Sequence, residues 1–186
     1  MNEQEIYFSV DIEASGPIPG EYSMLSLGAC LVDAVDHTFY AELRPISDRF
    51  VPAALEVTGF DLRELSTRGQ QPITVMQNLL DWVAVESHGV SPVFIGFNAG
   101  FDWSFVNWYF HKFLGKNPFG VAPLDIKAYY MGLAGCSWEQ TKSSKLPETL
   151  KPDRVERKPH NALSDAVYQA GIYRRIRDAR DQLFHP

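Results

Sequence analysis

The chain has 186 residues, 45% of them hydrophobic and 22% charged, a length and balance that suit one globular domain with a sizeable core. Its formal net charge of −6 excludes non-specific nucleic-acid binding through a broadly basic surface; a local basic patch, or cations held by carboxylates, can still meet phosphates. The opening MNEQEIYFSV lacks the basic and apolar segments of a signal peptide, and no apolar run approaches the ~20 residues of a membrane helix.

Residues 5–13 alternate and are rich in Tyr, Phe, Val and Ile, which predicts a strand. Turn residues from Ser15-Gly16-Pro17 to Gly20 interrupt it. Residues 23–33 predict a second strand and residues 37–43 a third, the short Ala34–Asp36 link joining them as a hairpin. Residues 51–57 predict a short helix closed by Gly59. Pro72 opens a helix to about Ser87, with Val75, Leu79, Leu80 and Val83 as its apolar stripe. Pro92 to Gly96 predicts a buried strand, and Phe101 to Leu114 a helix stopped by Gly115. Residues 121–126 predict a fifth strand with a helix after it. Residues 135–160, holding Pro147, Pro152 and Pro159, are the least regular, and Asn161 to about Leu183 is the last helix. A three-strand meander followed by alternating helices and strands predicts an α/β sandwich with a mixed five-stranded sheet flanked by helices, one domain over 1–186.

Four carboxylates and a histidine carry the chemistry. Asp11 and Glu13 interrupt the apolar run FSVDIEASG, where carboxylates are costly unless paired or bound to metal. Two apart on a strand, both leave the same face. A divalent cation between them would remove their mutual repulsion, and hard oxygen ligands suit Mg2+ or Mn2+. Asp102 follows the strand VFIG and the loop FNAG, beside a strand end where open α/β sheets keep their sites. His160 stands just before the last helix, with Asn161 near its cap, and Asp165 projects from the first turns. A histidine beside a metal ligand suits a general base. Ala162, Ala166 and Ala170 form a row of small residues that lets this helix approach the sheet and bring Asp165 near the strand acids. Singly, each has a simpler explanation: turn, solvated acid, helix cap, loop histidine or helix-dipole acid. Together, and in this order, they favour a metal cleft.

These residues resemble the DEDDh exonucleases, the family of bacterial polymerase proofreading subunits, RNase T and oligoribonuclease. The match runs through Asp11-x-Glu13 with Ser15-Gly16, then Asn98 with Phe101-Asp102 and Phe105, then His160-x-Ala162-x-x-Asp165. Thr58-Gly59 before an amphipathic helix and Leu124-Asp125 in a strand before a helix also fit, so the resemblance covers about residues 5–175. It implies an RNase H-like fold and a 3′-to-5′ exonuclease that uses two divalent metal ions and releases nucleoside 5′-monophosphates. Asp11 would bridge both ions, Glu13 and Asp165 would complete the first site, Asp102 would hold the second, and His160 would take a proton from the attacking water. Two ions ~4 Å apart can stabilise both the entering and the departing oxygen of an in-line displacement. Ser15 stands where members commonly have Thr, and Phe97 and Thr58 where many have His; these departures fall on the substrate side. Asp125 lies outside the metal motifs and reads as structural.

The expected partner is single-stranded or 3′-overhanging nucleic acid, DNA or RNA, with Ser15, Thr58, Asn98, Phe101 and Trp103 as candidate substrate-binding residues. Bases stack on exposed aromatic faces, and Trp103 is the aromatic near Asp102 expected to be exposed. Residues 141–160 hold Lys142, Lys145, Lys151, Arg154, Arg157 and Lys158 against Glu148, Asp153 and Glu156, a local positive excess that either guides the phosphate backbone or forms a solvated loop. The other functional class is a non-catalytic nucleic-acid or partner-binding module on the same fold; the five filled catalytic positions favour the enzyme. Cys30 and Cys136 have no metal-type spacing and fit a reducing cytoplasm, Cys30 as a small buried hydrophobe. Action alone, as a homodimer or as a subunit is each compatible with the chain.

Overall fold

The computed structural model describes residues 5–152 and 161–184. Five strands form one mixed sheet: β1 (Glu5–Ala14), β2 (Met24–Leu31), β3 (Thr38–Glu42), β4 (Ser91–Gly96) and β5 (Leu124–Asp125), in the spatial order β3-β2-β1-β4-β5. The meander β1-β2-β3 is antiparallel, while β4 and β5 run parallel to β1. The central strand is therefore the one that carries Asp11 and Glu13.

The period-2 alternation of β1 divides the core. Phe8, Val10 and Ile12 face α3 (Pro72–Ser87) and α4 (Gly100–Leu114), which present Val75, Met76, Leu79, Phe105, Val106, Tyr109 and Phe110. The opposite face holds Tyr7, Ser9, Asp11 and Glu13. There α5 (Ile126–Ala134) and α6 (Ala162–Phe184) cover Cys30, Val32 and Ile95 with Ile126, Ala170, Ile172, Tyr173 and Ile176. Two short helices, α1 (Pro52–Thr58) and α2 (Leu62–Arg68), lie between the meander and α3.

Helix α2 has no counterpart among the elements expected from the sequence. It is two turns long and buries only Leu65, so it has almost no hydrophobic period to detect. Its signal was Asp61, whose carboxylate accepts from the N–H groups of Arg63 and Glu64 and starts the helix. The fifth strand, expected over 121–126, spans only Leu124–Asp125, since Pro123 has no N–H to donate. Two single turns of 3-10 helix, Trp138–Thr141 and Glu148–Leu150, punctuate the irregular stretch before α6.

Candidate active site

The site lies on the α6-facing side of the sheet, where β1 outruns β4. Pairing of β1 with β4 ends at Ser9 and Ile95, so the second half of β1 has no neighbouring strand on that side. Two side chains take its place. Gln169 of α6 donates to the carbonyl of Val10 at 2.8 Å and accepts from the N–H of Phe97 at 2.6 Å, bridging the two diverging strands. Asp102, in the first turn of α4, accepts from the N–H of Ile12 at 3.0 Å. Buried backbone groups need such partners once a ladder ends.

Gly28 of β2 sits opposite Asp11, and α6 crosses directly above it. A Cβ at Gly28 would fall 2.2 Å from the main-chain nitrogen of Leu163. With Ala162 and Ala166 fully buried on the helix side, small residues on both surfaces bring α6 down onto the sheet. The hydroxyl of Ser9 donates to the carbonyl of Ala166 at 2.7 Å and fixes that approach. The side chain of Asn161 accepts from Ser164 N–H at 3.1 Å and starts the helix. Asp165 thereby reaches the strand acids: one carboxylate oxygen each from Asp11, Glu13 and Asp165 lie within 4.8 Å of one another.

The electrostatics fit a cation. Burial, then the Asp165 charge, pushes the Glu13 carboxyl up to about 7. Burial likewise raises Asp102, opposed by the Ile12 N–H and aided by the Glu13 and Asp125 charges. Three converging carboxylates with hard oxygen donors, held in conflict, are the ligand set that a divalent ion resolves. Asp11 and Asp165 also line a cleft of about 180 Å3 with Phe97, Ser143, Tyr168, Gln169 and Ile172.

The other expected residues are distributed as follows. His160 lies outside the described residues, as do Arg154, Arg157 and Lys158 of the basic stretch. Within the described part of that stretch, Lys142 pairs with Glu139 and Lys151 with Glu148. Ser15 is fully buried; its hydroxyl donates to the carbonyl of Arg49 at 2.9 Å and accepts from Ser23 N–H at 2.9 Å. Through these two backbone partners it braces the loop after β1. Trp103 is not the exposed aromatic that was expected: it is half-buried and packs edge-on against Phe94 at 5.3 Å, since helical spacing turns it toward the α3–α4 core. Phe101, 38% exposed, presents its ring instead. Thr58 ends α1, a helix that follows the Val51 N–H to Ser15 carbonyl bond at 2.8 Å. Asn98 is exposed with φ of 71°, a left-handed conformation that Asn tolerates better than most. Asp125 is structural as expected: it caps α5 through Ala128 N–H at 2.7 Å and holds Ala99 N–H at 2.6 Å.

Gln169 was missed. Its signal was its place one helical turn beyond Asp165, hence on the same face.

Comparison with known proteins adds an independent line. The 3′-5′ DNA exonuclease Cap18 of Escherichia coli is 49% identical over 175 residues, spanning 94% of this chain and 92% of its own. The nuclease domain of 3′hExo, a DEDDh family member solved with rAMP, superposes with a TM-score of 0.72 at 19% identity, covering 95% of this chain and 94% of that domain. The zinc-bound ExoI–ssDNA complex of E. coli gives a TM-score of 0.69 at 17% identity, covering 96% of this chain and 41% of that one. No protein-family model matches the sequence. The fold is RNase H-like, with the mixed sheet and flanking helices described above.

Proposed function

Because the chain belongs to the DEDDh family of 3′-to-5′ exonucleases, we propose that it trims DNA from the 3′ end with two divalent ions, Mg2+ or Mn2+, and releases nucleoside 5′-monophosphates. The observation that carries this is the convergence of Asp11, Glu13 and Asp165 within 4.8 Å across a strand and a helix. DNA is favoured over RNA by the 49% identity to a DNA exonuclease.

Asp11, Glu13 and Asp165 would hold one ion, and Asp102 would serve the second. When bound, the ions would supply positive charge opposite the negative charge of the entering hydroxide and of the departing 3′ oxygen. The chain's own residues do the rest. His160, two positions before Ala162 in the sequence, would accept the proton of the attacking water. Phe101 offers an exposed ring to the terminal base and Asn98 a polar side chain beside it. Gln169 keeps β1 and β4 at the separation that the cleft requires. Cys30 and Cys136 are both free, which supports a reducing compartment such as the cytoplasm. No helix among the described residues is long and apolar enough to cross a membrane.

The test is direct. The protein is incubated with Mn2+ and single-stranded, duplex and 3′-overhanging oligonucleotides of DNA and RNA, and the products are identified. Nucleoside 5′-monophosphates released stepwise from DNA 3′ ends are expected. Asp11→Ala and Asp165→Ala should fold and show almost no turnover. Internal cuts, 3′-phosphorylated products or wild-type activity in either variant would sink the assignment; faster release from RNA would overturn the choice of polymer.

A further inference from the structure

On the rim of the cleft three side chains from separate elements form a chain of contacts. Phe97 lines the cleft, and the next residue, Asn98, accepts from the Lys127 ammonium at 3.4 Å. The Lys127 nitrogen lies 4.0 Å from the centre of the Trp138 ring. Trp138 is 49% exposed although a tryptophan is among the costliest side chains to leave in water. It is held there by structure: it opens the 3-10 turn Trp138–Thr141, whose capping box pairs Ser137 with Gln140, and its carbonyl accepts from the Thr141 hydroxyl at 2.7 Å. Ser143, two residues past that turn, lines the cleft as well. Among the described residues no carboxylate pairs with Lys127; its contacts are the Asn98 side chain and the indole.

We propose that Trp138 and Lys127 form a nucleotide subsite outside the catalytic cleft, in which the exposed part of the indole stacks a base of single-stranded nucleic acid and Lys127 meets its phosphate. The subsite rests on the exonuclease reading and extends it to nucleotides upstream of the bond being cut. Lys127 sits over the ring in a cation–π contact that fixes its angle, and half of the side chain stays open to solvent. An indole face beside an uncompensated cation matches a base joined to a phosphate and suits any sequence, because every base has a π-face. Continuity with the cleft through Asn98 and Phe97 places the subsite on the strand's path. The pair lies on α5 and the turn after it, whereas every carboxylate of the active site comes from β1, α4 or α6.

Steady-state kinetics on two substrates test this. One is a single-stranded oligothymidylate of about twenty nucleotides; the other is the p-nitrophenyl ester of thymidine 5′-monophosphate, which fills only the reacting position. Trp138→Ala should raise KM for the oligonucleotide roughly tenfold, within the range for loss of one base stack, and leave its kcat and the ester rate unchanged. Trp138→Phe should restore most of the lost affinity. Lys127→Gln should lower the salt slope of oligonucleotide binding by about 0.7, one phosphate contact on a single strand. An active wild type with an unchanged KM in Trp138→Ala, or an unchanged salt slope in Lys127→Gln, overturns the subsite while leaving the exonuclease intact. A wild type inert on both substrates overturns the exonuclease reading and the subsite with it.

Discussion

The carboxylate of Asp102 accepts the main-chain N–H of Ile12, the residue between Asp11 and Glu13, at 3.0 Å. One side chain from α4 thus completes the backbone bonding of β1 and sets its carboxylate where it interacts with Glu13. The two roles separate by substitution. Asp102→Asn keeps an acceptor for Ile12 but loses the charge. It should melt at or above the wild type in EDTA at pH 8 and lose at least a hundredfold in Mn2+-dependent turnover, since even partners one step removed from a metal contribute ~10–100-fold. Asp102→Ala also strands the Ile12 N–H, at ~1–3 kcal/mol, and should melt several degrees lower. Equal melting temperatures for the two variants would refute the bracing role.

Gln169 performs a similar task without a charge. Gln169→Leu leaves the Val10 carbonyl and the Phe97 N–H without their partner. A loss of ~2–5 kcal/mol is expected by urea denaturation. The cleft wall should loosen with it, weakening Mn2+ binding measured by calorimetry. A change below ~0.5 kcal/mol would mean that water replaces the amide at no cost.

Gly28 sets how closely α6 approaches. In Gly28→Ala the new Cβ meets backbone, 2.2 Å from Leu163 nitrogen and 2.3 Å from the Ala162 carbonyl carbon. No side-chain rotation relieves that contact, so the helix itself must shift. A destabilisation of ~1–3 kcal/mol or more is expected. Activity should fall further than the folded fraction, because Asp165 moves away from Asp11. Turnover per folded molecule separates the two effects.

The raised Glu13 carboxyl predicts a pH dependence of definite sign. The unfolded chain ionises Glu13 near its ordinary 4.5, the folded, metal-free protein only near 7. Between these values the folded state binds more protons, so stability falls as pH rises through that window and levels off above it. Thermal melting in EDTA should show this decline in the wild type, and Glu13→Gln should show a shallower one, the part due to the raised Asp102 carboxyl remaining. Saturating Mn2+ should reverse the trend, because metal binding displaces the proton and strengthens over the same range. Parallel curves for wild type and Glu13→Gln would contradict the assignment.

Much of this was written in local sequence. The alternation of residues 5–13 is enough to put Asp11 and Glu13 on one face, since a strand's side-chain period is 2. The row Ala162, Ala166, Ala170 announced a close-packed helix, and the structure buries all three against the sheet. Helix α2 escaped because one inward residue, Leu65, makes no period. Trp103 was misjudged because helical spacing limits which residues share a face without saying which face meets the core. What only the tertiary structure decided is non-local. It put β1 at the centre of the sheet and ended β4 short of it. It gave the vacated backbone positions to Gln169 and Asp102, and matched Gly28 to the first turn of α6. Those pairings join residues 90 to 159 positions apart. No local pattern encodes them; they follow from burying both faces of the sheet while leaving no main-chain polar group unpaired.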